Sequence, residues 1–391
     1  MPLDMDALYR RVEEMVVDAS DITSDQQLIE AQDYLKRADP KVLLGKLRQR
    51  ERGRKIPWLV AEPLDTLAGT SPVPALPASF SVVASDGSAI PPDRHSPLRY
   101  YVLNTGYAAL TYGHAPGAVL NAQEQFCFRE DELYFDPQGK HIPIEGTRLG
   151  IRMGIEELFG LLAATLKAPR PVVAVRDGSL ILWNLQSEDT NLQHEYLSDF
   201  LGTLDGFYRA NIPVISYISF PGGHDVGNSL RLMLCDYASG CTHCPQETDG
   251  QRLCRVIGNV WDRQLFEGLL GRGERSDIFQ SQSAILSRYG KHTIQFFYLN
   301  VGGEIARIEA PQWVMQDREM LDLVHGVVFD QCRRSGQYPP YPPALIEAHE
   351  QAVISTGDRQ AVETLVEQAL AAKGIPYVRS AKDRSKRSRG V

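Results

Sequence analysis

The 391-residue sequence has no apolar run near the ~20 residues that a membrane-spanning helix needs. Its longest such stretch, Leu158 to Leu166, is interrupted by Gly160 and Thr165. An excess of base is also lacking: Lys and Arg total 41 against 49 Asp and Glu, a net charge of −8, which argues against a generic basic nucleic-acid binder. Cysteine is scarce, at six residues, too few for a disulfide scaffold. The opening Met-Pro-Leu-Asp-Met-Asp carries acid where a signal peptide carries base, and no apolar core follows. Together these absences point to a soluble, cytoplasmic chain with no membrane attachment. What remains is ordinary globular composition, 43% hydrophobic and 23% charged, enough for one large or two medium domains.

Hydrophobic periodicity organises the chain. Leu8, Val12, Met15 and Val16, then Leu28, Ala31 and Leu35, recur at helical spacing across residues 4–52. A Pro-rich stretch with Pro57, Pro63, Pro72, Pro74 and Pro77 follows as an extended connection. The expected organisation is an N-terminal helical region and linker over 1–75, a main domain over 76–356, and a C-terminal helix with a basic tail over 357–391. Strands are expected at 80–84, 100–112 and 119–128, then at 172–175 and 214–218, with helices at 147–166 and 193–211 between them. Strands at 295–299 and 304–309 and helices at 343–354 and 358–373 complete the reading. Strands separated by helices imply a mixed α/β sheet with functional groups at strand ends. The tail carries Lys382, Arg384, Lys386, Arg387 and Arg389 against Asp383 and reads as disordered.

Two copies of Asp-Gly-Ser, at 86–88 and 177–179, each follow a buried-strand run. Such a strand fixes the Asp, and the Gly lets the chain turn so that the carboxylate faces a cleft. Two carboxylates on neighbouring strands suit Mg²⁺ or Mn²⁺, which take hard oxygen ligands. A single Asp-Gly is more often a plain turn; the shared upstream pattern weighs the pair toward a cleft. The helix between them adds a third acid. With Ile155 centred on the apolar face, Glu156 falls at about 100°, the edge of the buried face, and Glu157 at about 200°, toward solvent. The bland alternative is a solvated Arg152–Glu156 pair. Downstream, Tyr338-Pro-Pro-Tyr341-Pro-Pro leads to His349, on the side of Leu345, where a half-buried His suits general-acid or phosphate-contact chemistry. The spacing Cys235-x5-Cys241-x2-Cys244-x9-Cys254, with an insertion expected at 232–256, suits Zn²⁺ or an iron–sulfur cluster.

Taken in order, several motifs resemble the NurA family, DNA-end-processing nucleases that act with a HerA-type hexameric ATPase. They are Ser85-Asp86-Gly87-Ser88, the helical acid, Val175-Arg176-Asp177-Gly178-Ser179-Leu180, Phe296-Phe297-Tyr298-Leu299 leading to Ala306-Arg307-Ile308-Glu309-Ala310-Pro311, and Tyr341-Pro342 with Ala348-His349-Glu350. The resemblance covers most of 80–355. It implies an RNase H-like fold with helical extensions at both ends, and a metal site of Asp86, Glu156 and Asp177, with Glu157 the alternative to Glu156. Tyr341, or Tyr338, and His349 complete the implied site. It further implies Mn²⁺ as cofactor, with Mg²⁺ as substitute, and 5′–3′ exonuclease with single-strand endonuclease activity on DNA. The implied setting is double-strand-break end resection by a homodimer beside a HerA-type partner. The cysteine cluster lies outside the family pattern. Two competing classes remain: an actin-like or sugar-kinase-like ATPase, whose motif has a residue between Asp and Gly, and a non-enzymatic metal-binding adaptor. The net acidity predicts weak DNA affinity for the isolated chain, with Arg176, Arg231, Arg275 and Arg307 and the tail as a local path.

Overall fold

Runs of β-branched and aromatic residues without helical period pair as strands in the computed structural model. It describes residues 4–17, 25–51, 58–93, 96, 98–136, 139–235, 254 and 257–375. The chain divides into two compact units. The larger comprises Val73–Ile218, Ile285–Ile294 and Ile308–Val391. Its strands are β1 (Phe80–Ile90), β2 (Tyr101–Tyr112), β3 (Gly117–Cys127), β4 (Val172–Asp177) and β5 (Val214–Ile218). Helix α1 (Thr147–Thr165) precedes β4, and α2 (Thr190–Ala210) joins β4 to β5. After them come α3 (Arg318–Arg334), α4 (Pro343–Ala352) and α5 (Thr356–Ala372).

Their sheet order is β3-β2-β1-β4-β5. β1 to β3 form an antiparallel meander, and β4 and β5 run parallel to β1. A three-strand meander followed by two parallel strands on the far side of the first is the topology of an RNase H-like sheet. Parallel pairing demands helical crossovers, which α1 and α2 supply. Ile155, Leu158, Leu161, Val172, Ala174, Leu197, Phe200 and Val214 merge in one core, where each fully buried large apolar side chain contributes about 1.5–3 kcal/mol.

Alternation along β1 sorts its side chains between two helices. Ser85 and Gly87 face α1, where Ser85 Oγ donates to Glu157 Oε1 at 3.3 Å and a Cβ at Gly87 would sit 3.0 Å from Met153 Cγ. Asp86 and Ser88 face α4: His349 Nδ1 lies 2.6 Å from Asp86 Oδ2, and Ser88 donates to the Ala352 carbonyl. Asn104, opposite Ser88 on β2, donates to the carbonyls of Gln351 and Ala352 at 3.1 and 2.8 Å. These bonds satisfy carbonyls that the end of α4 would otherwise leave orphaned. Gly106, opposite Asp86, lets α4 approach, since a Cβ there would overlap the backbone at Ala348 and Ala352. Gly106→Ala is expected to push α4 off the sheet at about 1–3 kcal/mol, the usual range for overpacking. A lowered Tm with reduced turnover checks this; an unchanged Tm refutes the contact.

The smaller unit comprises Met1–Pro72, Ser219–Ala284 and Gln295–Arg307. The described residues of 219–284, a stretch expected inside the main domain, thus pack with the N-terminal segment. The reason is the apolar stripe of the helices Asp25–Arg37 and Pro40–Glu51. Ala31, Leu35, Leu43 and Leu47 are buried in one cluster with Val226, Leu230, Phe266, Phe279 and Phe296. Three arginines expected along a DNA path are instead packing groups of this unit. Arg307 bonds Asp225 at 2.9 Å and lies 3.6 Å over Phe296. Arg231 covers Trp58 at 4.0 Å, and Arg275 approaches Phe297 at 5.8 Å.

Cys241 and Cys244 lie outside the described residues, as does the basic tail from Ser380. Cys235 and Cys254 are partly buried and form no disulfide among the described residues. Among the described residues, no helix is long and apolar enough to cross a membrane.

Candidate active site

The two Asp-Gly-Ser copies adopt different conformations. Asp86-Gly87-Ser88 is not a turn: β1 continues through it, paired to Gly106, Thr105 and Asn104. Cross-strand pairing overrides the local turn signal, and Gly87 serves as clearance for α1. Asp177-Gly178-Ser179 does turn, because Asp177 ends β4 and Gly178 takes φ +76°, a region that glycine enters without strain. Its backbone N–H donates to Asp177 Oδ1 at 2.8 Å. The parallel register that pairs Ser85 with Arg176 brings Asp86 beside Asp177.

The helical acid that the fold places beside Asp86 and Asp177 is Glu157, the alternative to Glu156 in the sequence reading. Glu157 is 4% exposed and accepts from Arg176 Nε at 3.2 Å as well as from Ser85. Glu156 turns away, toward Arg152 at 2.7 Å and Gln125 at 3.1 Å. The sequence expectation centred the buried face on Ile155, but Gly154, Leu161 and Thr165 are also buried, displacing the buried arc by about 100° toward them at 100° per residue. Phe159, one turn after Ile155 on the expected apolar face, is 61% exposed. Two glycines cause the displacement. A Cβ at Gly154 would collide with the Arg176 guanidinium, and one at Gly160 would collide with the Tyr107 ring. Hydrophobic periodicity gives glycine no weight, so it misplaces a face built for close approach.

Tyr341 and His349 also meet the acids. The Tyr341 hydroxyl donates to Asp177, and its ring packs edge-on against Tyr217 with centroids 5.3 Å apart. Tyr338 is 83% exposed, so Tyr341 is the tyrosine of the site. His349 is exposed, unlike buried Leu345 one turn earlier, and its Nδ1 edge faces Asp86.

Electrostatically the acids are crowded. Burial pushes the Glu157 carboxyl up to about 7, Arg176 opposes this, and the charges of Asp86 and Asp177 reinforce it. Asp177 is raised as well, first by desolvation and then by Asp86, against the hydrogen bond from Tyr341. Mutual repulsion among hard oxygen donors is chemistry suited to a divalent cation. Among the described residues, no three His, Cys, Asp or Glu side chains already converge as a metal cage.

One contributor had no role in the sequence reading. Glu309, quoted there only within a motif, is buried, and its Oε2 accepts from Ser179 Oγ at 2.7 Å, Leu180 N at 3.0 Å and Ser216 Oγ at 3.5 Å. It pins the turn that carries Asp177, across 130 residues of sequence, a contact with no local signature. Groups supporting a metal ligand typically cost about 10–100-fold when removed. Glu309→Ala is expected to lower Mn²⁺-dependent turnover by that factor; wild-type turnover would show that the turn holds without it.

A family model for the NurA domain matches residues 80–354. The chain belongs to the NurA family. The matched segment begins at β1 and ends just after α4, so the NurA domain encloses all five grouped side chains. No curated protein matches the chain. Among solved structures, it is similar to the NurA nuclease from Sulfolobus solfataricus, with a TM-score of 0.49 and 15% identity, covering 95% of this chain and 99% of that one. A NurA with manganese gives a TM-score of 0.39 at 11% identity, covering 84% and 96%. A further NurA gives 0.38 at 12%, covering 84% and 95%.

Proposed function

We propose that this chain is a DNA nuclease whose divalent cations are held by Asp86, Glu157 and Asp177. Nuclease activity and its dependence on metal follow from membership of the NurA family. The substrate, the ligand set and the direction of attack are our reading. The observation that carries it is the gathering of three repelling carboxylates, from α1 and from the adjacent inner strands β1 and β4 of an RNase H-like sheet. When bound, the cations lower the pKa of a water molecule and stabilise the leaving oxygen of a phosphodiester.

The protein's own groups do the rest. Arg176 and Ser85 orient Glu157, Tyr341 orients Asp177, and Glu309 fixes the turn beneath it. His349, exposed and hydrogen-bonded to Asp86, is placed to contact the scissile phosphate or to give a proton to the departing oxygen. The ATPase alternative fares worse, because Asp86-Gly87-Ser88 lies within a strand ladder and not in a phosphate-gripping turn.

The finer reading is 5′–3′ exonuclease with single-strand endonuclease activity, in end resection by a cytoplasmic homodimer with a HerA-type ATPase. Mn²⁺ is the favoured cofactor and Mg²⁺ the substitute. End-labelled DNA incubated with Mn²⁺, Mg²⁺ or EDTA, with and without such a partner, tests it. Shortening from the 5′ end in Mn²⁺, abolished by EDTA and enhanced by the partner, is expected. Degradation in EDTA would overturn the metal assignment, and loss of label from the 3′ end would overturn the direction.

A further inference from the structure

The acid cluster accounts for a phosphodiester and for nothing else of a nucleic acid. The segment after Asp177 supplies a different chemistry. Leu180, Ile181, Leu182 and Leu185 are all buried, at 0–8% exposure, while Trp183 among them is 36% exposed. Its indole is not loose: Nε1 donates to Ser179 Oγ at 3.1 Å, and that hydroxyl donates to buried Glu309 at 2.7 Å. Ser179 lies two residues beyond Asp177, so their Cα atoms are at most about 7 Å apart. The same carboxylate that pins the Asp177 turn therefore also sets the orientation of an exposed aromatic ring.

Folding alone gives no reason for this arrangement. The exposed third of Trp183 forgoes part of the large apolar contribution an indole offers, and holding its orientation adds an entropic cost. An oriented, solvent-facing π-surface is what a nucleobase needs, because every base has a face to stack and none needs its edge read.

We propose that Trp183 is the base-stacking platform of this site, taking a base of single-stranded DNA whose backbone lies at the acids. This rests on the nuclease reading above. It predicts tolerance of base identity but a requirement that a base be present. Stacking on one aromatic changes affinity by about 5- to 150-fold when the ring is removed.

The test uses the full chain and labelled oligonucleotides in two arms. In EDTA at low salt, fluorescence anisotropy is expected to show Trp183→Ala binding a single strand 5- to 150-fold more weakly than wild type, with Trp183→Phe recovering most of the loss. An oligonucleotide with abasic terminal positions is expected to bind wild type and Trp183→Ala alike. In Mn²⁺, Trp183→Ala is expected to lower the ratio of oligonucleotide hydrolysis to hydrolysis of bis(p-nitrophenyl) phosphate, a diester without a base. The proposal is overturned if Trp183→Ala binds the intact strand within twofold of wild type, if wild type does not prefer an intact strand to an abasic one, or if both hydrolyses fall together. Wild type that hydrolyses neither diester would sink the nuclease reading instead, and the anisotropy arm would still decide the stacking.

Discussion

Asp86→Asn and Asp177→Asn are each expected to abolish Mn²⁺-dependent DNA hydrolysis, with a loss of roughly 10³-fold or more. That exceeds the about 10–100-fold typical of groups one step removed from a metal, because each substitution removes a ligand charge outright. Asn keeps the shape and some hydrogen bonding, so the fold is expected to survive. Asp86 already lies at a half-exposed position and Asp177 at an open strand end. The decisive comparison pairs turnover with Tm. A dead variant with wild-type Tm supports the ligand assignment, and full activity in both variants refutes it.

The second large effect separates two adjacent acids. Glu157→Gln is expected to be as inactive as the aspartate variants, while Glu156→Gln stays within about threefold of wild type. Glu156 stands in a helical i,i+4 pair with Arg152, an arrangement that contributes only about 0.3–0.5 kcal/mol. Activity in Glu157→Gln with loss in Glu156→Gln would reverse the assignment. A pH signature goes with it. Because the Glu157 carboxyl is raised to about 7, the folded chain holds a proton there that the unfolded chain has already released near ordinary carboxylate pH. This favours folding at low pH, and the advantage is lost as pH rises through about 7. The cation needs the ionised form, so at limiting Mn²⁺ the rate should fall as pH drops below about 7. Mn²⁺ should likewise raise Tm more at pH 8 than at pH 6; equal shifts would remove Glu157 from the ligand set.

Several elements were legible in the sequence because local composition decided them. Val172-Val173-Ala174-Val175 and Val214-Ile215-Ser216-Tyr217-Ile218 have no polar face, and both are strands buried along nearly their whole length. Asp86, Asp177, Tyr341 and His349 were expected together from strand ends and from the family resemblance, and the fold brings all four into one cluster. What failed did so for physical reasons that a linear reading does not contain. Gly154 and Gly160 rotate the buried face of α1 without any apolar signal. Asp86-Gly87-Ser88 resembles a turn until β2 and β4 pair with its strand. Charge counting offered Arg176 and Arg307 to DNA, but each neutralises a buried carboxylate instead.

The contact between His349 and Asp86 spans 263 residues of sequence, which gives the site a timetable. A ribosome that has finished β1, α1 and β4 has made all three acids, but neither Tyr341 nor His349. The proposed set closes only when α4 docks in the window at Gly106, after most of the chain has been synthesised. A partly made chain, or one clipped before α4, can thus carry a recognisable sheet and all three acids while lacking the helix that brings His349 to Asp86.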